Sequence, residues 1–287
     1  KKIYVNVKDE YSQNSVKVVN GKFTIHRFSP DDEEIQIIAT DSWGNKAKKM
    51  VKVKIKRKVV QPIIVVEKLN PTKVKSRKSS NKVALIIGIQ NYSSAPKATF
   101  AASDAKWFYE YAKNVFGVSE NNIKKLVNKD ASFIQTQKVI SKWLPSKIKA
   151  NQTELIVFFA GHGLSTPDGK ELYLLVHDSD TDLLSRTAIS RSELFNDIVK
   201  LKPKSVTLFF DTCYSGSSRD DESLLVSARP IRIVPSEVSN RPDNFTIFSA
   251  AKNEQISSGF KEARHGIFSY YLMKGLEGKA DANKDKQ

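Results

Sequence analysis

A histidine and a cysteine lie just beyond two apolar runs of this sequence, where each run gives way to small and polar residues. The first run and its end are residues 158–163 (FFAGHG), and the second are residues 208–216 (LFFDTCYSG). Each run predicts a buried strand, and two parallel neighbouring strands would bring His162 and Cys213 to one edge of a sheet. In open α/β sheets, ligands bind at that carboxyl edge. The two residues are therefore candidates for a nucleophile and its base.

Each of these residues also has a structural interpretation. Cys213 is the only cysteine and His162 is one of four histidines; taken singly, they could be a buried structural thiol and a loop residue that caps backbone groups. The polar, turn-rich surroundings of Cys213 and the shared strand-end position favour a Cys-His dyad. The oxyanion formed by thiolate attack on a carbonyl needs backbone N–H donors, and the candidates are those of Gly163 and Cys213.

Size and composition limit the class of protein. The 287 residues are 40% hydrophobic, enough for two domains or one large one, and no apolar run of about 18 residues predicts a membrane span. The chain starts without Met, at residues that already predict a strand, which suggests an internal fragment; any targeting sequence would then lie outside it. A single cysteine excludes an intrachain disulfide and leaves the compartment open. The net charge of +16 indicates a basic surface or nucleic-acid binding, but without a recognisable motif we expect no specific nucleic-acid partner.

The hydrophobic pattern divides the chain into three parts. Residues 1–58 contain short alternating strands separated by turn signals, which predict a small all-β sandwich. Residues 59–81 are basic and polar around Pro71 and predict a linker. Residues 82–287 alternate between strands and helices, which predicts an α/β domain with a mostly parallel sheet and helices on both faces.

The elements of the third part follow from its periodicity. Strands are predicted at 83–89, 123–127, 155–159, 171–176, 206–210 and 245–250. Helices are predicted at 100–116, 132–148, 190–201 and 266–275. Ser190, with Glu193 three residues later, predicts a capped start for the third helix. Neither His177 nor His265 follows a strand end in a Gly-flanked loop, so we do not predict a catalytic role for them.

Several motifs resemble the caspase-like cysteine proteases, most closely their metacaspase-type and bacterial caspase-like branch. They are His162-Gly163, residues 211–216 (DTCYSG), residues 84–92 (ALIIGIQNY) and residues 101–105 (AASDA). The 51 residues from His162 to Cys213 match the spacing of about 50 in caspases. The resemblance implies a caspase-hemoglobinase fold, a Cys-His dyad and hydrolysis of peptide bonds.

The same resemblance suggests what precedes the cleaved bond. Metacaspase-type enzymes line the primary pocket with two acids, which match Asp104 and Asp211 here. Two carboxylates favour a Lys or Arg side chain. For each acid the structural alternative is a helix-start residue or a turn residue. Ser249 and Glu254 are expected to border the substrate groove, where a peptide would pair as an added strand.

Calcium and self-cleavage are two further properties of the family. Many eukaryotic metacaspases hold calcium partly through paired acids, but the matching stretch here is Ser190-Arg191-Ser192. The acids Asp178, Asp180 and Asp182 fit a solvated loop better than a site. Residues 281–285 resemble the start of an EF-hand loop, but Lys286 stands where that loop needs a glycine. We predict no metal and no cofactor. The candidate self-cleavage sites lie in the loop 217–243 and are Arg219, Arg229, Arg232 and Arg241.

The N-terminal part has a weaker resemblance. Residues 39–45 (ATDSWGN), followed by an alternating strand, resemble bacterial immunoglobulin-like modules, which favours a secreted or periplasmic location. The chain is therefore predicted to be a monomeric or weakly oligomeric protease whose partners are protein substrates with Lys or Arg before the cut. The alternative is a catalytically silent scaffold of the same fold that binds partners through its β domain.

Overall fold

A computed structural model gives the fold of two compact units. The described residues are 2–7, 14–16, 18–20, 22–24, 32–54, 66–166, 170–212, 242–250 and 259–283. The first unit spans Lys1–Ile63 and the second spans Ile64–Gln287. None of the helices in these ranges combines the length and the apolar composition that crossing a bilayer requires.

The described strands of the first unit form one antiparallel sheet. They are β1 (Lys2–Val7), β2 (Asn14–Val16), β3 (Glu33–Thr40) and β4 (Lys46–Val53). The strand order is β2-β1-β3-β4. Asp41 closes the β3–β4 hairpin by accepting hydrogen bonds from the backbone N–H groups of Trp43 and Asn45, both at 2.9 Å. The stretch that resembles an immunoglobulin-like module is therefore a hairpin with an Asp-centred turn, and the immunoglobulin-like sandwich stays a prediction.

The second unit is built on a parallel sheet. Its strands are β5 (Lys82–Gly88), β6 (Ile123–Val127), β7 (Glu154–Ala160), β11 (Ser205–Asp211) and β12 (Phe245–Ser249). Their order is β12-β11-β7-β5-β6, and every pairing among them is parallel. The shorter strands are β8 (Gly163–Ser165), β9 (Leu172–Leu174), β10 (Ile189–Ser190), β13 (Gly259–Phe260) and β14 (His265–Gly266). The predicted α/β class with a parallel sheet is confirmed.

Helices cover both faces of this sheet. They are α1 (Ala101–Asn114), α2 (Phe133–Lys138), α3 (Leu144–Lys147), α4 (Leu184–Thr187), α5 (Arg191–Lys200) and α6 (Ile267–Lys274). Alternate residues of β5 belong to different cores: Val83 and Leu85 pack with α3 and α5, whereas Ala84 and Ile86 pack with α1. A strand buried on both faces is continuously apolar, as this one is.

The structure departs from prediction within one helix and agrees with it at the start of another. The helix predicted at 132–148 is interrupted by a π-helical turn at Val139–Trp143, between α2 and α3. Hydrophobic spacing does not distinguish such a turn from an α-helix, because one inserted residue leaves the apolar face nearly unchanged. The capping prediction for α5 is confirmed, since the Ser190 hydroxyl accepts from the backbone N–H of Glu193 at 3.1 Å.

The segment that leads into the parallel sheet is bound to the second unit from residue 66 onward. The backbone N–H of Asn70 donates to the Glu277 carboxylate at 2.6 Å, and that of Ser79 donates to the Gly117 carbonyl at 2.9 Å. Gly117 has a φ of +70° and lies against the backbone of Arg77, where a side chain would clash. Residues 66–81, within the predicted linker, are thus held to α1 and the end of α6.

Candidate active site

The pairing register of strands β7 and β11 places the segments that carry His162 and Cys213 at equivalent positions along the sheet. Strands β7 and β11 pair in parallel, and their last aligned residues are Ala160 and Asp211. The N–H of Gly161 then donates to the Asp211 carbonyl at 3.3 Å. His162 and Cys213 each come two residues after the last aligned pair, so the two segments leave the sheet at equivalent positions. Cys213 itself lies outside the described residues.

The imidazole of His162 is held in one orientation. The residue is only 3% exposed, its backbone N–H donates to the Tyr92 hydroxyl at 2.8 Å, and its ring stacks on that of Tyr92 at 4.9 Å between centroids. Its Nε2 lies 2.9 Å from the Pro96 carbonyl oxygen. A carbonyl only accepts hydrogen bonds, so Nε2 carries the proton. In the neutral ring Nδ1 then has a lone pair and is the atom that can accept a proton.

Gly161 allows the close approach of Tyr92 to this loop. A Cβ atom at position 161 would lie 2.5 Å from the Tyr92 hydroxyl oxygen and 3.2 Å from the Phe159 ring. A side chain there would displace the hydroxyl that binds His162. Tyr92 is the last residue of the stretch 84–92 that resembles the caspase-like proteases, but no role could be predicted for it from sequence. Pro96 belongs to no motif that would have predicted its contact with His162.

Two backbone donors were predicted for the oxyanion, those of Gly163 and Cys213, and only Gly163 lies within the described residues. It begins β8, where its partner across the ladder is Leu174. Because the N–H of Leu175 donates to the His162 carbonyl at 3.0 Å, the Gly163–Leu174 pair is a non-hydrogen-bonded pair of the antiparallel ladder. The N–H of Gly163 therefore points away from β9.

The two acids of the predicted primary pocket are both fully buried, and both bind the start of α6. Asp104, in the first turn of α1, accepts from Nδ1 of His265 at 2.7 Å and from the N–H of Gly266 at 3.0 Å. Asp211, the last residue of β11, accepts from the Ser269 hydroxyl at 2.5 Å. Residues 265–269 thus contact carboxylates from two different elements. His265 and Ser269 are partners of these two acids that the sequence analysis did not identify.

The remaining predicted site residues divide by position. Ser249 is the exposed last residue of β12, aligned with Phe210 of β11, so it lies at the carboxyl end of one of the two end strands of the described sheet. Glu254 and the candidate self-cleavage sites lie outside the described residues, the latter being Arg219, Arg229, Arg232 and Arg241. Their assignments stay predictions.

The loop acids that could have suggested calcium are engaged in local structure. Asp178 accepts from the N–H of Phe133 at 2.7 Å, at the start of α2, and Asp180 accepts from the N–H of Asp182 at 2.8 Å. Within the described ranges, no group of three or more His, Cys, Asp or Glu residues is placed to hold a metal ion. The absence of a calcium site stays a prediction.

Comparison with known proteins identifies the family of the second unit. Residues 81–286 match the caspase domain family. Metacaspase-6 of Arabidopsis thaliana is 28% identical over an alignment of 151 residues that covers 49% of this chain and 39% of that protein. The chain therefore spans less than half the length of this curated relative.

A solved structure agrees at the level of the fold. A Geobacter sulfurreducens protein known from a crystal structure superposes with a TM-score of 0.52 and 18% identity, covering 69% of this chain and 82% of that one. The parallel sheet, the helices on both faces and the matched residues 81–286 lead to one assignment. This chain belongs to the caspase domain family.

Proposed function

We propose that this protein is a cysteine endopeptidase that cleaves after Arg or Lys, with Cys213 as nucleophile and His162 as base. The observation that carries the proposal is the fixed tautomer of His162 at the carboxyl edge of β7, in step with the segment that bears the only cysteine. An imidazole whose Nε2–H is bound to a carbonyl presents Nδ1 as a base. Membership of the caspase domain family supports the same chemistry.

The proposed reaction proceeds through an acyl-enzyme. Nδ1 of His162 takes the proton of the Cys213 thiol, and the thiolate attacks the carbonyl carbon of the scissile bond. The N–H groups of Gly163 and Cys213 donate to the resulting oxyanion. When the intermediate collapses, the C–N bond breaks and His162 returns its proton to the leaving amine. Water then hydrolyses the thioester, with His162 again accepting a proton.

The specificity for basic residues rests on Asp104 and Asp211. Buried carboxylates are costly unless hydrogen bonds or a cation stabilise them, and both of these are tied to one five-residue stretch at the start of α6. An Arg or Lys side chain would supply the cation, and Arg would add bidentate bonds. The chain's charge of +16 repels basic substrates at long range, so the preference must arise within the pocket.

The groove and the self-processing step complete the proposal. Ser249 ends one of the two end strands of the described sheet, and we expect a substrate to pair there as an added strand, with Glu254 nearby. The loop 217–243 offers Arg219, Arg229, Arg232 and Arg241 to a basic-specific protease. Intact mass after prolonged incubation should show cleavage in the unmodified chain and none in Cys213→Ala; equal masses would contradict self-processing.

Hydrolysis of fluorogenic peptides tests the central proposal. Peptides that end in Arg, Lys, citrulline or Asp differ in charge at the residue before the cut, and citrulline keeps the shape of Arg without its charge. We expect cleavage after Arg and Lys only, lost in Cys213→Ala and His162→Ala and weakened in Asp104→Asn and Asp211→Asn. Cleavage after Asp would refute the acidic pocket, and equal activity in Cys213→Ala would refute the nucleophile. Calcium and chelator are added in parallel, and we expect no change in rate.

A further inference from the structure

Residues 265–269, which run from β14 into the first turn of α6, bind both acids of the proposed pocket, although these acids come from distant parts of the chain. His265 and Asp104 are separated by 161 residues, and Ser269 and Asp211 by 58. Gly266 adds a backbone N–H to Asp104. The carboxylates thus share one short support rather than two unrelated ones.

We propose that residues 265–269 are the specificity-determining segment of this protein, in which His265 and Ser269 are positioning residues that orient Asp104 and Asp211 toward the Arg or Lys side chain of the substrate. This inference rests on the proposed function and extends it to residues that do not belong to the dyad or to the pair of acids.

The chemistry of the donors suits a site for a cation. A hydroxyl and a backbone N–H are neutral, and an imidazole can donate from Nδ1 while it is neutral. Such donors stabilise an ionised carboxylate without cancelling its charge. A Lys or Arg partner, by contrast, would cancel it. The start of a helix adds the positive end of the helix dipole. Each carboxylate oxygen can accept more than one hydrogen bond, so the contacts with residues 265–269 do not by themselves exclude a donor from a substrate.

The position of His265 is itself determined by packing. The residue is buried, and the Trp107 ring meets its imidazole edge-on at 5.9 Å between centroids, with an interplanar angle of 83°. Trp107 lies three residues after Asp104 on α1, one turn along the same face. In the β13–β14 pairing, Phe260 lies opposite His265. These contacts hold Nδ1 in line with the carboxylate, as a fixed donor requires.

Ser269 is equally constrained. It is fully buried in the first turn of α6, and its hydroxyl donates to Asp211. Since Asp211 is the last residue of β11 and comes two residues before Cys213, this bond fixes an acid next to the proposed nucleophile. Displacing a carboxylate by about 1 Å is enough to weaken oriented recognition substantially.

The test measures peptide binding rather than turnover, in the full chain carrying Cys213→Ala. Isothermal titration compares a peptide amide that ends in Arg with the same peptide that ends in citrulline. We expect the parent to bind the Arg peptide at least about tenfold tighter, the scale of charge-assisted hydrogen bonds. The variants are Ser269→Ala, Ser269→Thr, His265→Asn and His265→Gln.

The four variants distinguish the effect of a hydrogen-bond donor at the correct place from the effect of changing the size of the side chain. Ser269→Thr keeps the hydroxyl and His265→Asn keeps a donor near the place of Nδ1, so both should retain the Arg preference within about twofold. Ser269→Ala removes the donor and His265→Gln moves it, and each should reduce the preference by about fivefold or more. Ser179→Ala is the matched control: Ser179 is fully buried and bonded to the Val176 N–H and the Thr187 carbonyl. It should behave like the parent.

Failure of the inference differs from failure of the function. If Ser269→Ala and His265→Gln keep the parent's preference, the inference is overturned while the Arg/Lys specificity stands. If the parent does not distinguish Arg from citrulline, the specificity and the inference fall together. If Ser269→Ala does not fold, the comparison of His265→Asn with His265→Gln decides, and equal preferences in these two would overturn the proposal.

Discussion

Tyr92 holds His162 at two points, the backbone N–H and the face of the imidazole. The hydroxyl accepts from the N–H at 2.8 Å and the two rings are inclined by 29°. The first contact fixes the backbone of the loop, and the second limits rotation of the ring. Together with the bond from Nε2 to Pro96, they determine which nitrogen can serve as the base.

Tyr92→Phe is the residue-scale prediction. The change removes the hydroxyl but keeps the ring, so we expect kcat on an Arg peptide to fall about fivefold to tenfold, the equivalent of one hydrogen bond, with KM unchanged. The pH profile for alkylation of Cys213 by iodoacetamide should also shift, because in the proposed dyad this profile reports the histidine that pairs with the thiol.

Tyr109→Phe is the control for this prediction. The Tyr109 ring is half-buried on α1 and lies under the Lys125 ammonium at 4.4 Å, and loss of its hydroxyl should change neither kcat nor the alkylation profile. Equal kinetics in Tyr92→Phe and in the unmodified protein would show that Tyr92 has no role in positioning His162.

The sequence allowed prediction of where two candidate site residues lie in the fold, because local pattern governs their positions. His162 follows its strand, and Asp104 falls in the first turn of its helix, because apolar runs and helical spacing are local signals. The partners of these residues could not be predicted in the same way. Tyr92 lies 70 residues from His162, and His265 lies 161 residues from Asp104, so only tertiary packing brings them together.

At the scale of elements, α6 joins the pocket to the segment at 66–70. Glu277, just beyond the helix, is buried and accepts from Lys274 at 2.6 Å, from the Tyr111 hydroxyl at 2.5 Å and from the N–H of Asn70 at 2.6 Å. Lys274 also pairs with Glu67 at 3.2 Å. Burial alone would raise the pKa of Glu277, but these hydrogen bonds outweigh it and hold the pKa below its ordinary value of 4.5.

Glu277→Gln should therefore destabilise the second unit. The change leaves a buried ammonium without its nearest partner, and we expect the free energy of unfolding in urea to fall by about 3 kcal/mol. The exposed pair Lys200–Asp197 has the same spacing of three residues, so Asp197→Asn is the control and should cost less than about 1 kcal/mol. Equal losses in the two variants would contradict the account of this buried network.

The same variant predicts a pH dependence. A carboxylate whose pKa is lowered in the folded protein contributes stability above its unfolded-state pKa, and that contribution is lost as the pH falls through the folded-state pKa. The difference in unfolding free energy between the unmodified protein and Glu277→Gln should therefore be largest near neutral pH and shrink below about pH 4.5. Chemical unfolding monitored by circular dichroism from pH 7 to pH 3 measures it, and a difference independent of pH would contradict the assignment.

Some element boundaries followed from sequence and others did not. The five parallel strands and α5 with its Ser190 cap were predictable, because buried strands are continuously apolar and a cap has a short signature. The π-helical turn at Val139–Trp143 was not. The bonds that hold residues 66–81 to the second unit also escaped prediction, since polar, basic composition is typical of a linker whether or not it is docked.

At the scale of the whole molecule, the charge of +16 has a local focus. The lining of a groove of about 800 Å³ beside the edge strand β6 includes five lysines, one acid (Asp130) and Trp143. The lysines are Lys124, Lys125, Lys129, Lys138 and Lys142. Lysines on an edge strand also discourage pairing with other chains, so the groove has a structural explanation that needs no ligand.

Salt dependence separates these explanations. If the groove binds polyanions, single-stranded oligonucleotide binding by fluorescence anisotropy should weaken with salt at a log–log slope no steeper than about −3.5, or −0.7 for each lysine contact. Lys124→Glu with Lys138→Glu should abolish it, Lys73→Glu with Lys75→Glu should reduce it only slightly, and Cys213→Ala should leave it unchanged. Equal effects of the two double variants would indicate diffuse attraction to the whole surface.

Covalent labelling of the intact protein tests the central claim most directly. A peptidyl chloromethyl ketone that ends in Arg requires both a basic-specific pocket and a nucleophilic thiolate, since the sulfur displaces chloride only when the side chain is bound. The account predicts one adduct per chain, mapped by mass spectrometry to Cys213, slowed in His162→Ala and reduced in Asp104→Asn. A matched probe that ends in citrulline should react far more slowly. Equal labelling by the two probes, or no labelling of Cys213 by the Arg probe, would contradict the account.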